Sequence, residues 1–278
     1  MSSSSLLSAT TLIYCIASVF YISSWVFRKD RIGFIATWVL IGGCIGNIAG
    51  IGMRWIESYQ MGIGHAPLSN LYESLVFFSL MTAIVYLFIE YKYKNRLLGA
   101  IATPIAFLAI TYASLSPNIN DTINPLIPAL KSNWLIAHVL TCFMGYSGFA
   151  VACGAGLLYI MKSDTTKSRE GMLSRFPDLM VLDELIYQTI VFGFLFLSIG
   201  IITGAVWANT AWGSYWSWDP KETWSLITWF IYAMILHVRT MRGWHGKSIA
   251  YLSLLGFSAV LFTYFGVNYL PGLHSYGQ

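Results

Sequence analysis

The chain has 278 residues, of which 56% are hydrophobic and only 10% charged, with a mean hydropathy of +0.63. That balance excludes a soluble globular domain, because the apolar stretches come in lengths near the roughly 20 residues that span a bilayer. The net charge of +4 comes from a lopsided distribution of Lys and Arg among the loops, so it is no argument for a nucleic-acid partner.

Helices are expected rather than strands, since backbone groups in lipid must be satisfied within one segment and a barrel needs short alternating stretches. The chain reads as an all-α polytopic membrane protein, a single membrane domain over 1–278 with about eight transmembrane helices. These run over Leu6 to Phe27, Gly33 to Ile51, Leu68 to Ile89, Leu97 to Leu115, Leu135 to Met161, Leu185 to Trp207, Thr223 to Val238 and Ser248 to Gly266. Thirteen of the sixteen Lys and Arg fall in one set of loops, around Arg28, Lys94, the segment 162–184 and Arg242, while the opposite loops hold only Arg54, Lys131 and Lys221. By the positive-inside rule this puts segment 162–184 in the cytoplasm and both termini outside it.

In chain order, the start Met-Ser-Ser-Ser-Ser lacks a basic region and its apolar stretch is too long for a signal-peptide core, so it is expected to remain as a helix. His65 and Glu73 lie at the outward start of the third helix, where an ionisable group near lipid is a functional candidate. The outward loop Ser116 to Asn133 holds Pro117, Pro125 and Pro128 and is expected to be irregular. In the cytoplasmic loop, the apolar end Phe176 to Leu182 is expected to lie along the membrane surface. Cys15, Cys44, Cys142 and Cys153 all fall inside expected helices with no Cys-x-x-Cys pair, which reads as small apolar packing and not thiol redox chemistry. Gly200-Ile-Ile-Thr-Gly204 allows close helix packing, either within the chain or against a partner.

Of eleven tryptophans, six crowd between Trp207 and Trp229. An aromatic belt would spread its rings over many helix ends; here Trp212, Trp216, Trp218, Asp219 and Trp224 form a dense external segment, 208–224, suited to a large planar ligand. His138, one turn inside the fifth helix, and His274, just after the eighth, share that outward face. Two neutral imidazoles at one depth make a competent axial pair for a haem iron, and Arg54, Lys131 and Lys221 are candidate contacts for its propionates. His237 lies roughly 20 Å deeper, at 1.5 Å per residue, too far to share that iron. Aromatic outer pockets also suit quinones, so a quinone-binding membrane subunit stays open on residues alone.

The run Trp212-Gly-Ser-Tyr-Trp-Ser-Trp-Asp-Pro-Lys-Glu-Thr-Trp224 resembles the WWD signature of haem-handling proteins in the form found in the CcsA family, also called ResC or in many bacteria CcsB, of System II cytochrome c maturation. Gly64-His-Ala-Pro-Leu-Ser-Asn-Leu-Tyr-Glu73, Leu182-Asp-Glu-Leu-Ile-Tyr187 and Leu270-Pro-Gly-Leu-His-Ser-Tyr276 extend the likeness over about 64–276. The Asp-Pro-Lys-Glu-Thr-Trp continuation and eight expected helices separate it from the six-helix CcmC type. The resemblance implies haem b as transported substrate, His138 and His274 as external axial ligands, the WWD segment as platform, and His237 as an intramembrane haem ligand. It further implies a ResB-type membrane partner supplying the second intramembrane ligand, an apocytochrome c with a Cys-x-x-Cys-His segment, and a thiol-reducing accessory protein. The implied activity is part of a cytochrome c haem lyase in a bacterial cytoplasmic or thylakoid membrane; a haem exporter without attachment activity is the nearest rival.

Overall fold

The computed structural model of the protein describes residues 2–126, 130–164 and 172–272. Among the described residues are eight α-helices: α1 (Ser3–Phe27), α2 (Asp30–Gln60), α3 (Leu71–Tyr93), α4 (Gly99–Leu115), α5 (Asn133–Asp164), α6 (Leu179–Trp212), α7 (Pro220–Arg242) and α8 (Lys247–Tyr264). Seven are long and apolar enough to cross a membrane, α4 together with the short turn that precedes it. The exception is α7, which corrects the reading of eight equivalent spans. Lys221 and Glu222 at one end and Arg239 and Arg242 at the other leave an uncharged stretch, Thr223 to Val238, of only 16 residues, short of the roughly 20 that a bilayer needs.

Three helices are longer than read. At 31, 32 and 34 residues, α2, α5 and α6 reach about 46 to 51 Å at 1.5 Å per residue, well beyond a hydrocarbon core of about 30 Å. Against the expected Leu185 to Trp207, α6 starts at Leu179 and ends at Trp212. A second correction concerns Phe176 to Leu182. Phe176 is buried against Trp25, ring centroids 5.1 Å apart, and from Leu179 the chain is already α6, with Leu182 fully buried. Phe176 and Leu182 thus pack inside the protein, while Met180 between them stays exposed.

The chain forms two compact units. In the first, residues 1–131 with 170–176, α1 packs on α2 and α4, and α3 on α2 and α4. Its core is held by polar ties as well as apolar packing, as expected where lipid tails compete equally for apolar side chains. Asn47 donates to Ser79 Oγ at 3.1 Å and to the Val76 carbonyl at 3.3 Å; Glu90 accepts from Tyr21 and Tyr86, both at 2.7 Å, and from Thr37 at 2.6 Å. Arg175 donates to the Ser24 carbonyl at 3.0 Å and pairs with Asp30 at 2.8 Å.

The second unit, residues 132–169 with 177–278, is built on the α5–α6 pair. Glycines let these backbones approach: a Cβ on Gly145 or Gly148 would stand 3.0 Å from carbonyl oxygens of Gly193 and Thr189. α8 covers α5, and α7 rests on α8 and α6. At its far end Asp183 of α6 forms an ion pair with Arg239 of α7 at 2.8 Å and accepts from the backbone N–H of Gly246 at 2.7 Å, clasping both sides of the α7–α8 turn. All four cysteines are free thiols within helices.

Candidate functional site

The tryptophan-rich segment is shorter as a loop than its sequence implied. Helix α6 continues to Trp212 and stops at Gly213, whose positive φ of 78° lets its N–H close onto the Asn209 carbonyl. Helix α7 starts at Pro220 with a full capping box: Asp219 Oδ2 accepts from the Lys221 N–H at 3.0 Å, while Glu222 Oε2 reaches back to the N–H groups of Asp219 at 3.2 Å and Ser217 at 2.8 Å. The run Asp-Pro-Lys-Glu is therefore a helix start, a signal present in the sequence. Between the two caps only 213–219 is loop.

That loop holds Trp218 at φ 59°, a left-handed conformation rare for a bulky residue, with its indole 69% exposed. Trp216 meets it edge-on at 5.7 Å, and its buried indole N–H has no hydrogen-bond partner among the described residues. The remaining indoles are packed on their own unit. Trp212 stands edge-on to Trp207 at 4.9 Å, Trp224 lies 4.2 Å from Phe262 between ring centroids, and Trp229 donates to Ser198 Oγ at 2.8 Å.

His138 projects from α5 onto α6. Its Nδ1 is 2.7 Å from the Gly200 carbonyl oxygen, and since that oxygen can only accept, Nδ1 carries the proton and Nε2 the lone pair. Trp207 lies nearly parallel to the imidazole, 12° between planes and 6.0 Å between centroids. Gly200 and Gly204 face Cys142 and His138 respectively, so this pair serves packing within the chain. The ammonium of Lys221 is within Coulombic range of His138 and Cys142. Burial pushes the Lys221 ammonium below its ordinary pKa, an effect Asp219 opposes.

Gly272, the last described residue, comes to the same place: a Cβ there would collide with the Asp219 carboxylate and crowd Pro220 Cδ at 3.1 Å. His274 lies outside the described residues.

In the first unit Arg54, 2% exposed, pairs through Nε with Glu73 at 2.7 Å, donates to the Thr122 carbonyl at 3.3 Å and lies over the Tyr72 ring. Glu73 also accepts from the N–H and hydroxyl of Ser69, both at 2.8 Å. Arg54, read as an outward cation, and Glu73 are thus committed to each other. His65 is buried with Nδ1 2.8 Å from the Ala66 carbonyl and Nε2 3.1 Å from that of Asn124, so both ring nitrogens face backbone and the ring ties down the loop after α4. Lys131 is exposed. In the second unit His237 is exposed on α7, in a stripe with Ile227, Phe230, Met234 and Met241.

Fold and site together define a multi-pass helical membrane protein that gathers indoles and an oriented imidazole at one end of one helical unit. Residues 68–274 match the family model described as cytochrome C assembly protein. A cytochrome c biogenesis protein CcsA from Guillardia theta is 41% identical over 288 residues, covering 96% of this chain and 94% of that protein. CcsA proteins of Prochlorococcus marinus and Chlamydomonas reinhardtii are each 42% identical over 81% of this chain, covering 78% and 63% of their own lengths. Among solved structures, the cytochrome c heme lyase CcmF superposes on 95% of this chain with a TM-score of 0.71 at 16% identity; the chain spans 47% of its length, and the likeness is one of fold. The chain belongs to the CcsA family of cytochrome c biogenesis proteins.

Proposed function

We propose that this chain is the haem-presenting subunit of a cytochrome c synthase. Its substrate, haem b, is held on the non-cytoplasmic side between His138 and His274, with the indole turn against the porphyrin, and is offered to an apocytochrome c carrying Cys-x-x-Cys-His. The observation that carries this reading is convergence within one compact unit: Gly272, two residues before His274, lies against Asp219 of the tryptophan-rich turn, in the same unit as His138 and Trp207.

The chemistry fits the residues present. A thioether forms when a cysteine S–H adds across a porphyrin vinyl group, sulfur bonding one carbon and hydrogen passing to the other, so no oxidant is consumed. The thiols belong to the apocytochrome and must arrive reduced, which is the task of a thiol-reducing accessory protein. This chain contributes proximity and orientation, and its own helix-embedded thiols are not needed. Saturating the iron with two imidazoles protects it until the incoming histidine displaces one. Trp218, exposed and in the left-handed region at φ 59°, supports a ligand role, since such strained residues gather at ligand sites. Lys221, beside Asp219 and within Coulombic range of His138, is the cation proposed to meet a propionate in this unit.

At the other depth, His237 binds haem with a second ligand from a ResB-type partner. Its exposed stripe on α7 supports this, and packing against that partner lets α7 serve as the eighth span, with both termini outside the cytoplasm. The membrane is a bacterial cytoplasmic or a thylakoid membrane, in keeping with relatives in Prochlorococcus marinus and Chlamydomonas reinhardtii. The test is reconstitution of the purified chain and its ResB-type partner with haem and reduced apocytochrome, followed by haem staining after denaturation. Covalent haem on the apocytochrome is expected; haem that is bound but never attached would make the protein an exporter.

A further inference from the structure

We infer that one face of α6, Gly200, Gly204 and Trp207, is the positioning surface for the His138 imidazole, fixing both its tautomer and its rotation so that Nε2 is presented as the iron ligand. The inference rests on the proposal that His138 binds haem iron and adds three residues that act through it.

Three contacts make the surface. The Gly200 carbonyl accepts from Nδ1 at 2.7 Å, which leaves Nε2 as the only lone pair and, by polarising the N–H, makes that lone pair a stronger donor. Gly204 supplies clearance, since a Cβ there would stand 2.6 Å from Nδ1 and 2.7 Å from Cε1 of His138. Those atoms belong to a ring already bonded to Gly200, so it can give way only by breaking that bond. Trp207 closes the third side, nearly parallel to the ring, and is itself buried and braced by Trp212. The three positions fall on consecutive turns, at spacings of four and three, and so share one helix face. A Cβ on Gly200 would also meet Cys142 Sγ of α5 at 2.6 Å. The glycines therefore set the depth to which the imidazole is seated as well as its orientation.

The experiment uses the full-length chain purified in detergent, titrated with haem and followed by absorption and by the midpoint potential of the bound iron. Gly204→Ala is compared with Gly193→Ala, which crowds the same α5–α6 interface against Phe149 and the Gly145 carbonyl but lies three turns from Gly204 and about two from Gly200. The inference expects Gly204→Ala and Trp207→Leu each to weaken haem binding, Gly204→Ala by about 10- to 100-fold. It also expects Gly204→Ala to raise the midpoint potential as the Nδ1–H···O bond is lost, and Gly193→Ala to leave the potential unchanged in whatever haem it retains. Equal potential shifts in Gly204→Ala and Gly193→Ala, or wild-type affinity and potential in Gly204→Ala, would overturn it. Should Gly204→Ala not fold, Trp207→Leu decides alone: weaker binding supports the inference and wild-type binding overturns it. His138→Ala separates the two levels. Unchanged haem binding there removes the ligand reading itself, whereas lost binding there with unaffected Gly204→Ala and Trp207→Leu removes only the positioning surface.

Discussion

Arg54 shows how a residue's neighbours decide its role. Its guanidinium is buried beside the Glu73 carboxylate, so removing one partner strands a charge, at a cost of about 3–5 kcal/mol, whereas replacing both with apolar side chains of similar volume is far milder. Glu73→Ala is therefore expected to lower thermal stability sharply and Arg54→Met/Glu73→Leu to recover most of the loss; an additive double variant in a thermal unfolding series would contradict the pairing. Trp218 presents the opposite case. A bulky residue in the left-handed region costs on the order of 1 kcal/mol or more, so Trp218→Gly should leave stability unchanged or slightly raised while reducing cytochrome c maturation. A drop in stability of about 2 kcal/mol with normal maturation would make Trp218 a structural residue. Of the histidines, His65 was legible from sequence only as an outward candidate. That both its nitrogens face the carbonyls of Ala66 and Asn124 depends on a loop whose path has no periodic signature.

At the scale of elements, the caps around the tryptophan-rich turn govern where it ends. Asp219→Ala removes the side chain that accepts from the Lys221 N–H and should cost about 0.5–2 kcal/mol, with Asp219→Asn costing less; equal stability of all three proteins would contradict the capping role. These caps were readable, since Asp-Pro-x-Glu is a helix-start pattern and Gly213 a helix-stop residue, and reading them shortens the loop to 213–219. Hydrophobic length alone located all eight helices, because twenty apolar residues in lipid have little alternative to a helix. It misjudged their ends. Excess length in α2, α5 and α6 leaves the apolar stretch and is set by caps and by packing between distant segments. The glycines of α6 were visible as a pair, but their partner was not, because a small residue says that something comes close without saying what. Charged ends likewise explain why α7 is the least self-sufficient helix. It is held at one end by the clasp between Asp183 and Arg239, which the sequence offered only as a motif.

For the whole molecule, composition points to a membrane protein, and the distribution of charge carries an expectation of which loops face the cytoplasm. Seven helices satisfy the first by length and composition. The second predicts that a cysteine introduced at Ser214 reacts with a membrane-impermeant thiol reagent added on the non-cytoplasmic side, whereas one at Lys94 reacts only after permeabilisation; the reverse pattern would invert the topology. What composition could not supply is the meeting of the chain's last described residues with the tryptophan-rich turn, since contact between Gly272 and Asp219 is a property of the folded unit. The most direct test of haem presentation is the absorption and electron paramagnetic resonance spectrum of haem bound to the full-length protein, compared with His138→Ala, His274→Ala and their double variant, in a His237→Ala background that leaves only the outer site. A low-spin, bis-imidazole spectrum that is lost or turns high-spin in each single variant is the predicted result. A low-spin spectrum that survives in either one would contradict it.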